Sequence, residues 1–168
     1  TGCPMLPCQD RNNIFDTNYF EAGTTAVHNY GDGMGSQFIN NVIVGGVGVD
    51  AGYCEAESGG TILYQNNTVY ALSGLAFQQE SSCGVVLNSN NFFSTGTKSA
   101  SQSTPPLTGS YNNFWPAFSP TGPTGTVSSN PQFISPGLSS LPTGGISASS
   151  KLGVANFALG NTSLFNVS

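Results

Sequence analysis

The sequence predicts an all-β chain wound as a short solenoid of about five coils. Three observations carry this. Phe, Tyr, Val and Ile dominate the apolar segments, which suits strands rather than helices. Few segments show a 3.6-residue apolar period. Asparagine returns in fixed company about every 24 residues.

The repeat is visible in five stretches: "FDTNYFEAG", "FINNVIVGG", "YQNNTVYAL", "NSNNFFSTG" and "SYNNFWPAF". They align on Asn18, Asn41, Asn67, Asn91 and Asn113, with spacings of 23, 26, 24 and 22. Two positions after each asparagine stands Phe20, Ile43, Val69, Phe93 or Trp115. If each repeat is one coil, equivalent residues stack about 4.8 Å apart. The asparagines then form an internal ladder at a bend, and the residues two positions later form an inward apolar column. In "QNNTV", Asn67 belongs to the ladder and its neighbour Asn66 faces outward.

The elements follow in order. "TGCPMLPCQD" is an N-terminal cap, since an uncapped solenoid exposes strand edges and core side chains. The cysteines are Cys3, Cys8, Cys54 and Cys83, an even number that suits an oxidising compartment. Of the three pairings open to them, Cys3–Cys8 with Cys54–Cys83 closes a small loop in the cap and staples neighbouring coils. Residues 94–110, "STGTKSASQSTPPLTGS", read as a long loop between coils, and 116–131 read similarly. The solenoid with its cap occupies 1–135. Residues 136–168 form a strand-rich extension that either caps the upper end or adds a strand to a neighbour.

The N-N-[T/V/F]-[V/I/F] steps resemble the right-handed parallel β-helix repeat of pectate-lyase-like proteins and many surface proteins. "SNPQFISPG" at 129–137 is similar to the Asp/Asn-Pro-x-Phe segment that often follows the last coil of that family. The resemblance covers roughly residues 11–135 and implies a right-handed parallel β-helix. It implies little about activity, because the fold carries lyases, hydrolases, epimerases, adhesins and inert scaffolds.

Composition narrows the function. Only 7% of the residues are charged and the net charge is −5. That excludes the clustered Lys and Arg of nucleic-acid binding, a polybasic membrane contact, and a good site for an acidic polysaccharide. No apolar run is long enough for a membrane-inserted helix. A surface solubilised by Gly, Ser, Thr and Asn suits an extracellular or cell-surface protein, and Thr1 in place of Met suits a processed or trimmed product. Asn66, Asn161 and Asn166 fit the N-glycosylation pattern.

No catalytic residue is assigned. Family enzymes use Lys or Arg beside calcium-binding acids, or clustered Asp with Gly-His-Gly and Arg-x-Lys. Here Arg11, Lys98 and Lys151 lie off any recognisable coil face, and His28 stands between Val27 and Asn29. Asp32, Glu57 and Glu80 precede their next aligned asparagine by 9, 10 and 11 residues, so they stack on one turn of successive coils. Solvated loop acids are the plainer reading. A Ca2+ site on these three, joined by Asp50 and Glu55, is the alternative. No other cofactor is implied.

Two functions are expected. The first is a glycosylated structural protein, a filament, coat or adhesin subunit whose partner is itself as homopolymer or homo-oligomer. The second is a polysaccharide-active lyase, hydrolase or epimerase, or a fragment of one. Its carbohydrate would stack on exposed aromatics such as Tyr30, Tyr53, Tyr64, Tyr70 and Trp115, and His28, Tyr30, Asp32 and Glu80 would be the first residues to test.

Overall fold

The structure is a computed structural model that describes residues 13–29, 35–51, 61–80 and 84–133. Sheet A stacks β1 (Ile14–Asp16), β3 (Gln37–Ile39), β5 (Thr61–Gln65), β8 (Gly84–Asn88) and β11 (Thr108–Ser110) in that order. Sheet B contains β2 (Tyr19–His28), β4 (Val42–Ala51), β6 (Thr68–Ala71), β7 (Phe77–Gln79), β9 (Asn91–Ser94), β10 (Ala100–Ser101) and β12 (Asn113–Trp115). Every strand pairing is parallel. Parallel neighbours cannot be joined by a tight turn, so the chain makes a full circuit between them. The result is a parallel β-solenoid of about four turns, marked by five strand rows in sheet A.

Sheet B bends into two sides. The first part of β4, Val42–Gly45, pairs with β6, whereas Val49–Ala51 pairs with β7. Gly46, Val47 and Gly48 lie between these stretches, and β2 shows a matching register shift between Ala22 and Thr25. At this corner a Cβ on Gly48 would stand 2.3 Å from Val69 Cγ1 and 2.6 Å from the Ala76 carbonyl. Glycine is therefore needed there for close approach.

Alternation fills the inside. Phe38, Ile62, Tyr64, Val85 and Leu87 point inward from sheet A, and Ile43, Val69, Phe92 and Phe114 from the first side of sheet B. Val49, Phe77 and Ala100 come from its second side. In-register rows place like rings over like rings. Phe15, Phe38 and Tyr64 stack with centroids 4.7 and 5.0 Å apart, and Phe92 lies 4.9 Å from Phe114. Each offset pair adds about 0.5–1.5 kcal/mol to its area burial.

Residues 94–110 are part of the coil, which corrects the loop expected there. Ser99, Ala100 and Leu107 are buried. Gln79, also buried, donates from Nε2 to the Pro105 carbonyl and accepts from the Ser103 amide. The buried residues here include Ser99 and Ala100, so a buried stretch has loop-like composition.

The two ends differ. After β12 the chain makes a partial sixth row, with bridges Ser110–Thr124 and Asn113–Val127, and Phe118 packs edge-on against Phe114 at 5.3 Å. At the other end β1 is the outermost strand of sheet A among the described residues, with Ile14 64% and Phe15 36% exposed. The expected N-terminal cap and residues 136–168 lie outside the described residues.

Candidate functional site

The most organised polar feature is a corner between sheet A and sheet B. In each row the chain turns through a left-handed residue: Thr17, Asn40, Asn66, Ser89 and Tyr111, with φ between 54 and 58°. Gly125, at 61°, repeats the turn in the partial sixth row. A left-handed turn points the next residue's backbone amide away from its sheet partners and into the interior, where it needs an acceptor.

That acceptor is an asparagine side chain one row higher. The amides of Asn18, Asn41, Asn67 and Asn90 donate to Oδ1 of Asn41, Asn67, Asn90 and Asn112 at 2.8–3.0 Å. Side chains repeat the step: Asn41, Asn67 and Asn90 donate from Nδ2 to the next Oδ1 at 3.0, 2.9 and 3.0 Å. The second Nδ2 hydrogen of each goes to a carbonyl in the row below: Phe15, Phe38 and Tyr64 respectively. Asn112 likewise donates to the Leu87 carbonyl. Only a carboxamide both donates twice and accepts twice, so the pattern propagates itself.

The structure thus places Asn18, Asn41 and Asn67 in one column and moves the other two expected members. Asn91 and Asn113 are one residue too late. They pair in register with Thr68 on the outward side, where Asn113 donates to Asn91 Oδ1 at 2.8 Å. The ladder residues of those rows are Asn90 and Asn112. The apolar column shifts with them: Phe92 and Phe114 are fully buried, whereas Phe93 and Trp115 are partly exposed on the outside. The sixth position falls to Thr126, whose Oγ1 is buried without a partner.

A second column runs outside the first. Asn66 Nδ2 donates to Asn40 Oδ1 at 3.3 Å, and Asn40 Nδ2 to Asp16 Oδ1 at 3.1 Å. Thr17 Oγ1 also donates to that carboxylate at 2.8 Å, and the two bonds, Thr17's first, hold Asp16 below its ordinary pKa of 3.8. Asn66, expected as a glycan acceptor, is exposed here, while Asn161 and Asn166 lie outside the described residues.

Of the expected metal residues, the side chain of Glu80 alone is described. Glu80 is exposed and accepts from Gln78 Nε2 at 3.2 Å. Asp32, Glu57 and Glu55 lie outside the described residues, as do Cys3, Cys8, Cys54 and Cys83. Among the described residues no group of three His, Cys, Asp or Glu side chains could hold a metal ion. Two of the aromatics proposed for sugar stacking are not available: Tyr64 is fully buried and Tyr70 is 6% exposed. Tyr64 receives a hydrogen bond on its hydroxyl from Asn29 Nδ2, and burial pushes the Tyr70 phenol pKa up. Tyr30 and Tyr53 lie outside the described residues.

Sequence reasoning missed one polar alignment. On the second side of sheet B, register sets His28 beside Asp50, Asp50 beside Gln78, and Gln78 beside Ser101. Their unequal sequence spacings hide it, because coil lengths vary.

No protein-family model, curated protein or solved structure matches the chain.

Proposed function

We propose that the chain is an extracellular structural protein, a subunit of a surface filament, coat or adhesin. Assembly runs through the ends of the solenoid and the C-terminal extension. The right-handed, pectate-lyase-like superfamily is part of this reading, as a non-catalytic member. The observation that carries it is exposed apolar surface on the terminal rows of the described residues. Ile14 and Phe15 are exposed on β1, the outermost described strand of sheet A, and Tyr111 and Val127 are exposed in the last rows at the other end. Unpaired strand edges with exposed apolar side chains are templates for another chain. The interior also suits a scaffold, since its asparagine side chains are engaged with one another in a ladder.

End-to-end stacking of solenoids would bury the strand edges of the adjoining rows. The extension, residues 136–168, supplies the second surface in this reading. Electron microscopy and light scattering of the native material test it. Polymers or defined oligomers are expected; monomers with and without residues 136–168 would reject it.

The row His28–Asp50–Gln78–Ser101 favours a second reading, a polysaccharide-active enzyme or fragment. Polar residues at register positions one strand apart would suit a neutral or weakly acidic glycan lying across the coils. Turnover on a glycan panel, abolished by His28→Ala, would replace the structural reading with this one.

A further inference from the structure

The inner ladder has a direction. At each step a corner amide donates upward to an Oδ1, and the asparagine above returns one Nδ2 hydrogen to the carbonyl three positions before that amide. The Asn41 amide donates to Asn67 Oδ1, for example, and Asn67 Nδ2 donates to the Phe38 carbonyl. The same pair of bonds recurs at every step from Asn18 to Asn112. Each step thus joins an amide and a carbonyl below to an acceptor and a donor above.

The two ends of the described ladder hold the halves of one more step. At the lower end Asn18 is exposed, whereas Asn41, Asn67, Asn90 and Asn112 are at most 1% exposed. Among the described residues Asn18 Oδ1 accepts no hydrogen bond, and Nδ2 reaches only the Asp16 carbonyl of its own row, at 3.0 Å. At the upper end Thr126 follows the left-handed Gly125, as each ladder asparagine follows its own left-handed residue. The bridges Ser110–Thr124 and Asn113–Val127 set Thr126 in register above Asn112, with Pro123 three positions earlier. Among the described residues neither the Thr126 amide nor the Pro123 carbonyl makes a hydrogen bond. The lower end thus offers an acceptor and a donor, and the upper end an amide and a carbonyl at the spacing that the ladder uses.

We propose that a second copy of this chain completes the step: the lower end of one solenoid seats on the upper end of the next, with Asn18 in register above Thr126. The Thr126 amide donates to Asn18 Oδ1, and Asn18 Nδ2 donates to the Pro123 carbonyl. Its bond to Asp16 need not break, because Asn112 Nδ2 reaches both the Leu87 carbonyl and the Ser110 carbonyl of its own row. The joint rests on the assembly reading and names which faces meet and in what register. Head-to-tail contact alone keeps strands parallel across the joint, as all strand pairings within the solenoid are. Side-chain sizes agree with it. In this register Phe15 and Phe20 stand above Pro123 and Ser128, so large residues meet small ones and the exposed Phe15 is covered. A head-to-tail contact that does not close into a ring propagates as a filament.

Photo-cross-linking of the full chain under assembly conditions tests this. Isotopically light protein with benzoylphenylalanine in place of Val127 is mixed with heavy parent protein. The expected mixed light–heavy products join position 127 to peptides containing Tyr19, the residue that the register sets directly above it. Assemblies whose mixed products join position 127 to residues 111–127 of the second chain, or that give no mixed product, would overturn the joint and leave the assembly reading standing. Monomers would overturn both. Asn18→Ala gives a second measure, since it removes the acceptor and the donor but keeps the amide that bonds Asn41. It should raise the concentration needed for assembly by roughly tenfold or more, with the melting point of the dispersed subunit unchanged. An unchanged assembly concentration would overturn the joint. A lowered melting point with normal assembly would do so too, because Asn18 would then serve its own chain.

Discussion

Asn66 and Asn67 adjoin in sequence, and each bonds an asparagine one coil away, yet Asn67 is 1% exposed and Asn66 faces solvent. The inner residue accepts from the Asn41 amide and side chain and donates to the Phe38 carbonyl and to Asn90. The outer residue makes one 3.3 Å side-chain bond and supplies a left-handed backbone. The same residue type thus does two jobs. Inside, the carboxamide is the sole means of satisfying groups that water does not reach. Outside, what counts is tolerance of positive φ.

Breaking the inner site should have the largest effect. Asn67→Leu keeps the volume but leaves the Asn41 amide, one Asn41 Nδ2 hydrogen and the Phe38 carbonyl without the Asn67 side chain, while the backbone amide at 67 still donates to Asn90 Oδ1. A buried group left unsatisfied costs about 1–3 kcal/mol, so a total above about 3 kcal/mol is expected in urea unfolding. A loss below about 1 kcal/mol would mean that water takes over the ladder, and the contrast between the columns would collapse.

The outer site should respond to backbone conformation alone. Asn66→Ala places a Cβ-bearing residue of poor left-handed tolerance at φ 55°, and should cost about 1 kcal/mol. Asn66→Gly should cost almost nothing, because glycine adopts that turn freely. Equal losses in the two variants would instead assign value to the bond with Asn40.

The confusion of the two jobs also explains what was legible. Fold class, asparagine stacking and the approximate period are all present in the sequence, because an in-register solenoid forces equivalent residues onto each other. The register was misread in two rows because asparagine suits both the turn and the ladder. In "INNV" and "QNNT" the pair occupies turn and ladder. In "SNNF" and "YNNF" it occupies ladder and the first outward strand position. An apolar residue three before and two after the ladder position would have decided: Phe15 and Phe20, Phe38 and Ile43, Tyr64 and Val69, Leu87 and Phe92. The fifth row has Gly109 in the earlier place, where a Cβ would meet the Leu87 carbonyl at 2.1 Å. The sixth row was not legible at all, since "GTV" carries no asparagine. The register row at His28 was hidden for a different reason, namely unequal coil lengths.

The sixth row offers a smaller test, by extending the inner column. Thr126 Oγ1 is buried without a partner directly above Asn112. Asn at 126 would bring an acceptor to the Asn112 amide, as Asn112 does for Asn90. Thr126→Asn is therefore expected to raise stability by about 0.5–1 kcal/mol, measured as a higher urea midpoint at unchanged slope. A lower midpoint would show that the partial row cannot accommodate the ladder geometry.

The smallest expected effect lies at the foot of the outer column. Asp16 accepts from Thr17 and Asn40 and has a lowered pKa in the folded chain. A depressed folded value means that the carboxylate stabilises the fold fully above its unfolded pKa, and that this contribution is lost as pH falls through the folded value. The window is therefore at and below about pH 3.8. Asp16 is fully exposed, so solvent and salt screen it and the effect is small. Melting curves between pH 5 and about pH 2 should fall slightly less steeply for Asp16→Asn than for the parent chain. At neutral pH the two should coincide closely, because an asparagine accepts the same two bonds. A variant that loses as much as Asn67→Leu would show the outer column to be a second structural ladder rather than a solvated copy of the first.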